Sequence, residues 1–173
     1  MKSSPAASNF ERNFILQQGF PEPASPSCGA QYSALVFQPR MVGLVVLIGV
    51  ILQEPGVFLA LAALLWWSAL FPRLNPFDAV YNWLLSRRPG HVALSPAPAP
   101  RRFATGEAGT FSLAVWISFL VKWKVTAIVL QAVLLASVAA VAFGGFCLGS
   151  FTFHLLRGRV AFARRTLPWA HGA

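Results

Sequence analysis

Apolar side chains fall into long runs along this chain, set apart by short polar interruptions. Met41 to Leu52 is apolar throughout, Gln53-Glu54-Pro55-Gly56 interrupts, and Val57 to Phe71 resumes. A third run, Ala108 to Val121, stops at Lys122-Trp123-Lys124. The longest, Val125 to Phe153, carries no charge and one strongly polar side chain, Gln131. A bilayer core about 30 Å thick takes about 20 helical residues to cross. The longest run exceeds that and is too long for a strand. Backbone groups in lipid must bond one another, so the run predicts a membrane helix. The expected fold is all-α: a polytopic membrane protein with four transmembrane helices over 41–52, 57–71, 108–121 and 125–153, paired as two hairpins.

The first two runs are each short for a crossing. Joined as one kinked helix they would place Glu54 at mid-membrane, at a cost of about 2.5–3.5 kcal/mol. That cost and the Pro-Gly punctuation favour a hairpin turning at Gln53-Glu54-Pro55-Gly56. Between the hairpins, Asn75-Pro76 has the form of an N-cap followed by proline at the first helical position. Phe77, Val80, Tyr81 and Leu84 then recur at helical spacing, while Asp78, Asn82 and Ser86 face elsewhere. This predicts an interfacial helix over 75–88, apolar face down, with Arg87 and Arg88 toward phosphates. Residues 89–102 read as a Pro-rich, semi-rigid linker, and 158–173 as a basic tail. Pro5, Pro21, Pro23, Pro26 and Pro39 argue against a long helix in residues 1–40. That segment is expected to be an extramembrane arm ordered by a partner or by the membrane. Its start lacks the apolar core of a signal peptide, so no cleavage is expected, and Cys28 lacks the apolar run that precedes a lipoprotein cysteine.

Composition agrees: 56% of residues are hydrophobic and only 11% charged, against about 25% charged in ordinary soluble domains. The net charge of +9 would suit nucleic acid if the cations formed a patch. They border apolar runs instead, where they meet anionic lipid, so no nucleic-acid partner is expected. Of the 14 Lys and Arg residues, only Lys122 and Lys124 fall on the side of the first hairpin's turn. The positive-inside rule therefore puts both termini and the central loop in the cytoplasm. Trp66, Trp67 and Trp123 sit where an aromatic belt meets headgroups.

Candidate chemistry is sparse. Ala136, Ala140, Gly144, Gly145 and Gly149 form a small-residue stripe suited to close helix packing. Cys147 lies within it, either as a redox thiol or as a small apolar filler. Cys28 is far off in sequence and expected at another depth, so no structural disulfide is expected. His154 is either an interfacial polar residue or an axial ligand for haem or chlorophyll. Paired carboxylates, metal-ligand clusters, phosphate loops and a Ser-His-Asp pattern are all missing from the sequence, so no enzyme and no metal site are expected.

The order of a hairpin, a loop, an APRRFA element at Ala99–Ala104, a second hairpin and a closing Gly-Phe-Cys-Leu-Gly resembles an uncharacterised bacterial family of small integral membrane proteins, a domain of unknown function. The resemblance covers about residues 37–157 and implies a bacterial cytoplasmic (inner) membrane. The family's closing motif ends Cys-Leu-Gly-Cys, and its gene neighbourhoods imply thiol or sulfur handling. Here position 150 is Ser, so a dithiol cycle within the motif cannot run. The leading expectation is a non-catalytic accessory subunit that packs among other membrane-protein subunits, in a respiratory or photosynthetic type of complex. The alternatives are a thiol-redox protein using Cys147 and a small transporter, which would need broken helices at the midplane.

Overall fold

The computed structural model describes residues 9–22, 28–85 and 93–170, and within them all regular structure is helical. The helices are α1 (Asn9–Gln17), α2 (Cys28–Leu52), α3 (Pro55–Leu70), α4 (Pro76–Leu85), α5 (Ala99–Leu120), α6 (Lys124–Ala142), α7 (Leu148–Leu156) and α8 (Val160–Arg165), with a 3-10 turn at Pro72–Leu74. Three of them, α2, α5 and α6, are long and apolar enough to cross a membrane, while α3 is a shorter apolar helix. Arg87, Arg88 and residues 89–92 of the Pro-rich linker lie outside the described residues.

The turn between α2 and α3 falls at Gln53-Glu54. Gln53 takes a left-handed backbone (φ 50°), and the Glu54 carboxylate accepts the Gly56 N–H at 3.3 Å, capping α3 with Pro55 at its start. Phe58, Leu61 and Leu65 of α3 then join Val42 and Val46 of α2, Val115 of α5, and Leu134 and Val138 of α6 in the larger core cluster. Outward-facing Ile51, Val125, Ile128 and Phe143 are strongly exposed, which water would penalise and lipid would not.

Four expectations need correction. First, α2 begins at Cys28 and continues through Pro39, so residues 28–40 are helix and not arm. Pro39 removes one backbone bond, and burial of Leu35, Val36, Val42 and Val46 on both sides holds the helix together. Second, the described part of the arm before α2 packs on this chain itself. α1 buries Phe14, Ile15 and Gln17 against this chain's own α2 and the segment after α6. Third, Val125–Phe153 is not one helix: α6 ends at Ala142, and Phe143–Cys147 forms a turn before α7. Gly145 sits there at φ +54°, and a Cβ on it would run into the Phe10 ring. Fourth, α5 starts at Ala99, so Arg101 and Arg102 belong to a helix and not to a linker.

The break also dissolves the small-residue stripe. Ala136 and Gly144 are exposed, and the buried face of α6 is Ala127, Gln131, Leu134, Val138, Val141 and Ala142. Gly149 does make a close contact, to α5: a Cβ there would lie 2.7 Å from the Ala104 Cα. Between α3 and α5, a Cβ added at Gly109 would come within 2.9 Å of Trp66 Cδ1.

Candidate ligand cavity

Two polar knots close one end of the bundle. The first is built by helix starts. Asn75 Oδ1 accepts the Phe77 N–H at 3.1 Å, and its Nδ2 donates to Asp78 Oδ2 at 2.9 Å and to Gln38 Oε1 at 3.2 Å. Arg101, in the first turn of α5, donates through Nη2 to Asp78 Oδ1 at 2.9 Å and to Gln38 Oε1 at 3.0 Å. The ion pair is buried on both sides. Burial pushes the Asp78 carboxyl above its ordinary range, while the Arg101 charge and the hydrogen bonds from Arg101 and Asn75 pull it down. Neighbouring Arg102 donates through Nε to the Ala69 carbonyl at 2.8 Å, at the end of α3. These two arginines therefore tie helices together, and Arg101 does not meet lipid phosphates.

The second knot is Gln17. Its side-chain oxygen accepts the Cys147 N–H at 2.9 Å, and its carbonyl accepts from His154 Nε2 at 3.1 Å. A carbonyl only accepts, so Nε2 carries the proton. Burial holds the His154 pKa below its ordinary value; the bond to Gln17 opposes this and the Arg159 charge adds to it. The ring lies edge-on to Phe162, with centroids 4.7 Å apart. Ser150, one turn before His154, is fully buried. Ser68, Thr105, Thr110, Ser112, Ser118 and Thr166 each bond the carbonyl four residues back, whereas Ser150 Oγ has no partner among the described residues.

Between these knots and the apolar core lies a cavity of about 140 Å³. Leu35, Val42, Leu65, Phe111, Leu134 and Val138 line its apolar part, and Gln18, Gln38, Arg101, Glu107 and Cys147 bring polar atoms to it. Its wall includes Val133 and Leu148, apolar side chains that are also exposed on the outer surface.

Of the residues singled out from sequence, Cys147 and Gly149 line this cavity. His154 does not, and its Nε2 is committed to Gln17, which leaves a haem or chlorophyll only the crowded Nδ1 side. Trp66 covers Gly106 and Gly109, Trp67 donates to the Leu74 carbonyl at 3.2 Å, and Trp123 is exposed at the α5–α6 turn. Cys28 and Cys147 are both free thiols, and they share one buried cluster, contrary to the expected difference in depth. Among the described residues no group of three or more His, Cys, Asp and Glu could hold a metal ion. Sequence reasoning missed Gln17, Gln38, Arg101 and Glu107. The one local signal was charge and amide inside segments otherwise suited to lipid.

A family model, described as a domain of unknown function (DUF4395), matches residues 33–158. No curated protein and no solved structure matches the chain.

Proposed function

The chain belongs to the DUF4395 family, and we propose that it is a membrane-embedded binding protein whose cavity takes a lipid-soluble small molecule. The observation that supports this is the cavity itself: about 140 Å³, mostly apolar, with Gln18, Gln38, Arg101, Glu107 and Cys147 among the residues of its wall. Ligand sites commonly combine apolar walls with a few convergent polar groups. In this reading α2, α3, α5 and α6 cross a bacterial cytoplasmic membrane as two hairpins, with both termini cytoplasmic. The cationic ends of α7 and α8 and Arg73 after α3 support that orientation.

An accessory subunit would extend its arm over a neighbour. Here α1 is folded onto its own chain, which favours the binding reading over that one. Cys147 in the cavity wall keeps thiol chemistry available to whatever binds, and the broken α6–α7 segment beside the cavity is the feature a transporter would use. The test is thermal unfolding of the detergent-solubilised full chain with and without lipid-soluble aromatic probes. A probe that binds the folded state alone, at 100 times its Kd, stabilises by about 2.7 kcal/mol. Val138→Trp, which fills the cavity, should abolish the shift, and the milder Ser137→Leu should reduce it. No shift with any probe, or a shift unchanged in both variants, would sink the reading.

A further inference from the structure

Glu107 lies about two turns into α5, in a segment apolar enough to cross a membrane. A carboxyl at such a depth is costly unless something answers it. Glu107 lines the cavity and is half-buried. No ion pair and no hydrogen bond reaches its carboxyl among the described residues, and no neighbouring charge offsets its desolvation. Arg101 Nη1 is sealed away, whereas neither Glu107 oxygen is among the sealed atoms, so the carboxyl is open to contact.

Gly149 shows where the carboxyl lies. A Cβ there would stand 2.5 Å from Glu107 Oε2, so the bare glycine gives the carboxyl its room. Gly149 belongs to the wall of the same cavity, which puts Oε2 on the α7 side of α5.

Charge identifies the missing partner. Arg101, the other charged group of the wall, is already neutralised by Asp78 at 2.9 Å. The start of α7 at Gly149 supplies about half a unit of positive charge, short of the full unit a carboxylate carries. A bare metal ion would need about six oxygens, and Gln38 Oε1 is already taken by Asn75 and Arg101. An ammonium supplies the whole charge and brings N–H donors with it.

Size narrows the rest. A cavity of about 150 Å³ walled by aliphatic and aromatic side chains can hold one benzene ring; this one is about 140 Å³. It has room for an unsubstituted six-membered ring and little more.

We propose that the cavity binds a small, lipid-soluble amine, with its carbons against Leu134 and Val138 and its nitrogen paired with the Glu107 carboxyl. The proposal rests on the cavity being a binding site. The free base travels through lipid uncharged. If Glu107 is protonated, the base takes that proton: the carboxyl O–H bond breaks, an N–H bond forms, and a carboxylate–ammonium pair results. If Glu107 is ionised, the ammonium form docks directly and the same pair results.

The test titrates three six-membered rings of matched size onto the purified full chain in detergent and follows the thermal midpoint. Piperidine carries a basic nitrogen, tetrahydropyran an oxygen that only accepts, and cyclohexane no polar atom. A charge-assisted hydrogen bond to Glu107 predicts that piperidine binds about ten- to a hundredfold more tightly than tetrahydropyran. Glu107→Gln should erase that preference and leave cyclohexane binding unchanged, and Val138→Trp should abolish binding of all three. Tetrahydropyran binding as tightly as piperidine in the native chain, or cyclohexane binding alone, would overturn the amine assignment and leave the cavity reading standing. A preference for piperidine that survives Glu107→Gln or Val138→Trp would place the amine elsewhere and overturn the proposal. Binding of none of the three would overturn both readings. Should Glu107→Gln fail to fold, the ranking of piperidine against tetrahydropyran on the native chain still decides.

Discussion

At the scale of single residues, the Arg101–Asp78 pair sets the terms. Both side chains are almost wholly out of solvent. Truncating one partner leaves the other charge buried and uncompensated, which costs about 3–5 kcal/mol. Asp78→Ala should lose that much in denaturant or thermal unfolding, whereas Asp78→Leu combined with Arg101→Met should lose much less. Titration of the two knots has opposite signs. The Asp78 pKa is raised, so the stability linked to it is fully present below the ordinary Asp value and is lost as pH rises through the folded value. The His154 pKa is lowered from 6.5, so its contribution is present above about 6.5 and is lost as pH falls through the folded value. Unfolding free energy should therefore decline on acidification below about pH 6.5, and His154→Gln should flatten that decline. A decline unchanged in His154→Gln would assign it elsewhere.

At the scale of elements, the break between α6 and α7 depends on one backbone conformation. Gly145 and Gly158 both have positive φ, but a Cβ at Gly158 meets nothing within 4 Å while one at Gly145 meets Phe10. Gly158→Ala should cost about 1–2 kcal/mol, the left-handed penalty alone. Gly145→Ala should cost a further 1–3 kcal/mol for the overpacked contact. Equal losses would mean that α1 yields freely at Phe10. This same break marks where the sequence stopped being legible. Uninterrupted hydropathy from Val125 to Phe153 carries no sign of a turn, because Gly-Gly inside an apolar run is equally at home in a packed helix. The turn at Gln53-Glu54 could be read because a carboxylate and a proline are both unfavourable inside a membrane helix. Pro39 misled for a related reason: its local penalty is real, but tertiary burial on either side outweighs it. Arg101 and Arg102 resembled loop cations, and only the fold brings Arg101 to Asp78 and Gln38, 23 and 63 residues away in sequence. Cys147 and Gly149 could be read as notable, but their place in a cavity wall depends on α5, which no local pattern locates.

At the scale of the whole molecule, α1 is part of the fold and not an accessory. It contributes Phe14 and Ile15 to a cluster that also holds Leu35, Val36, Val141 and Cys147. Its Asn13 donates to the Leu167 and Ala170 carbonyls at 3.0 and 3.1 Å. Removing residues 1–17 should lower the thermal midpoint in detergent and expose the Cys147 thiol to alkylation. A truncated chain that melts like the parent and protects its thiol equally would mean that the arm is dispensable.

Gln17 joins the two ends of the chain across separations of 130 and 137 residues. A ribosome adds about 5–20 residues per second, so on the order of ten seconds pass between synthesis of this glutamine and arrival of the groups it grips. Throughout that interval the nascent leading segment has only α2 to rest on, and the side that later meets the α6–α7 segment is open to chaperones or to misassociation. The last step of biogenesis is then the docking of the first piece made, and a polypeptide stalled before its closing helices would advertise itself to quality control through that loose leader.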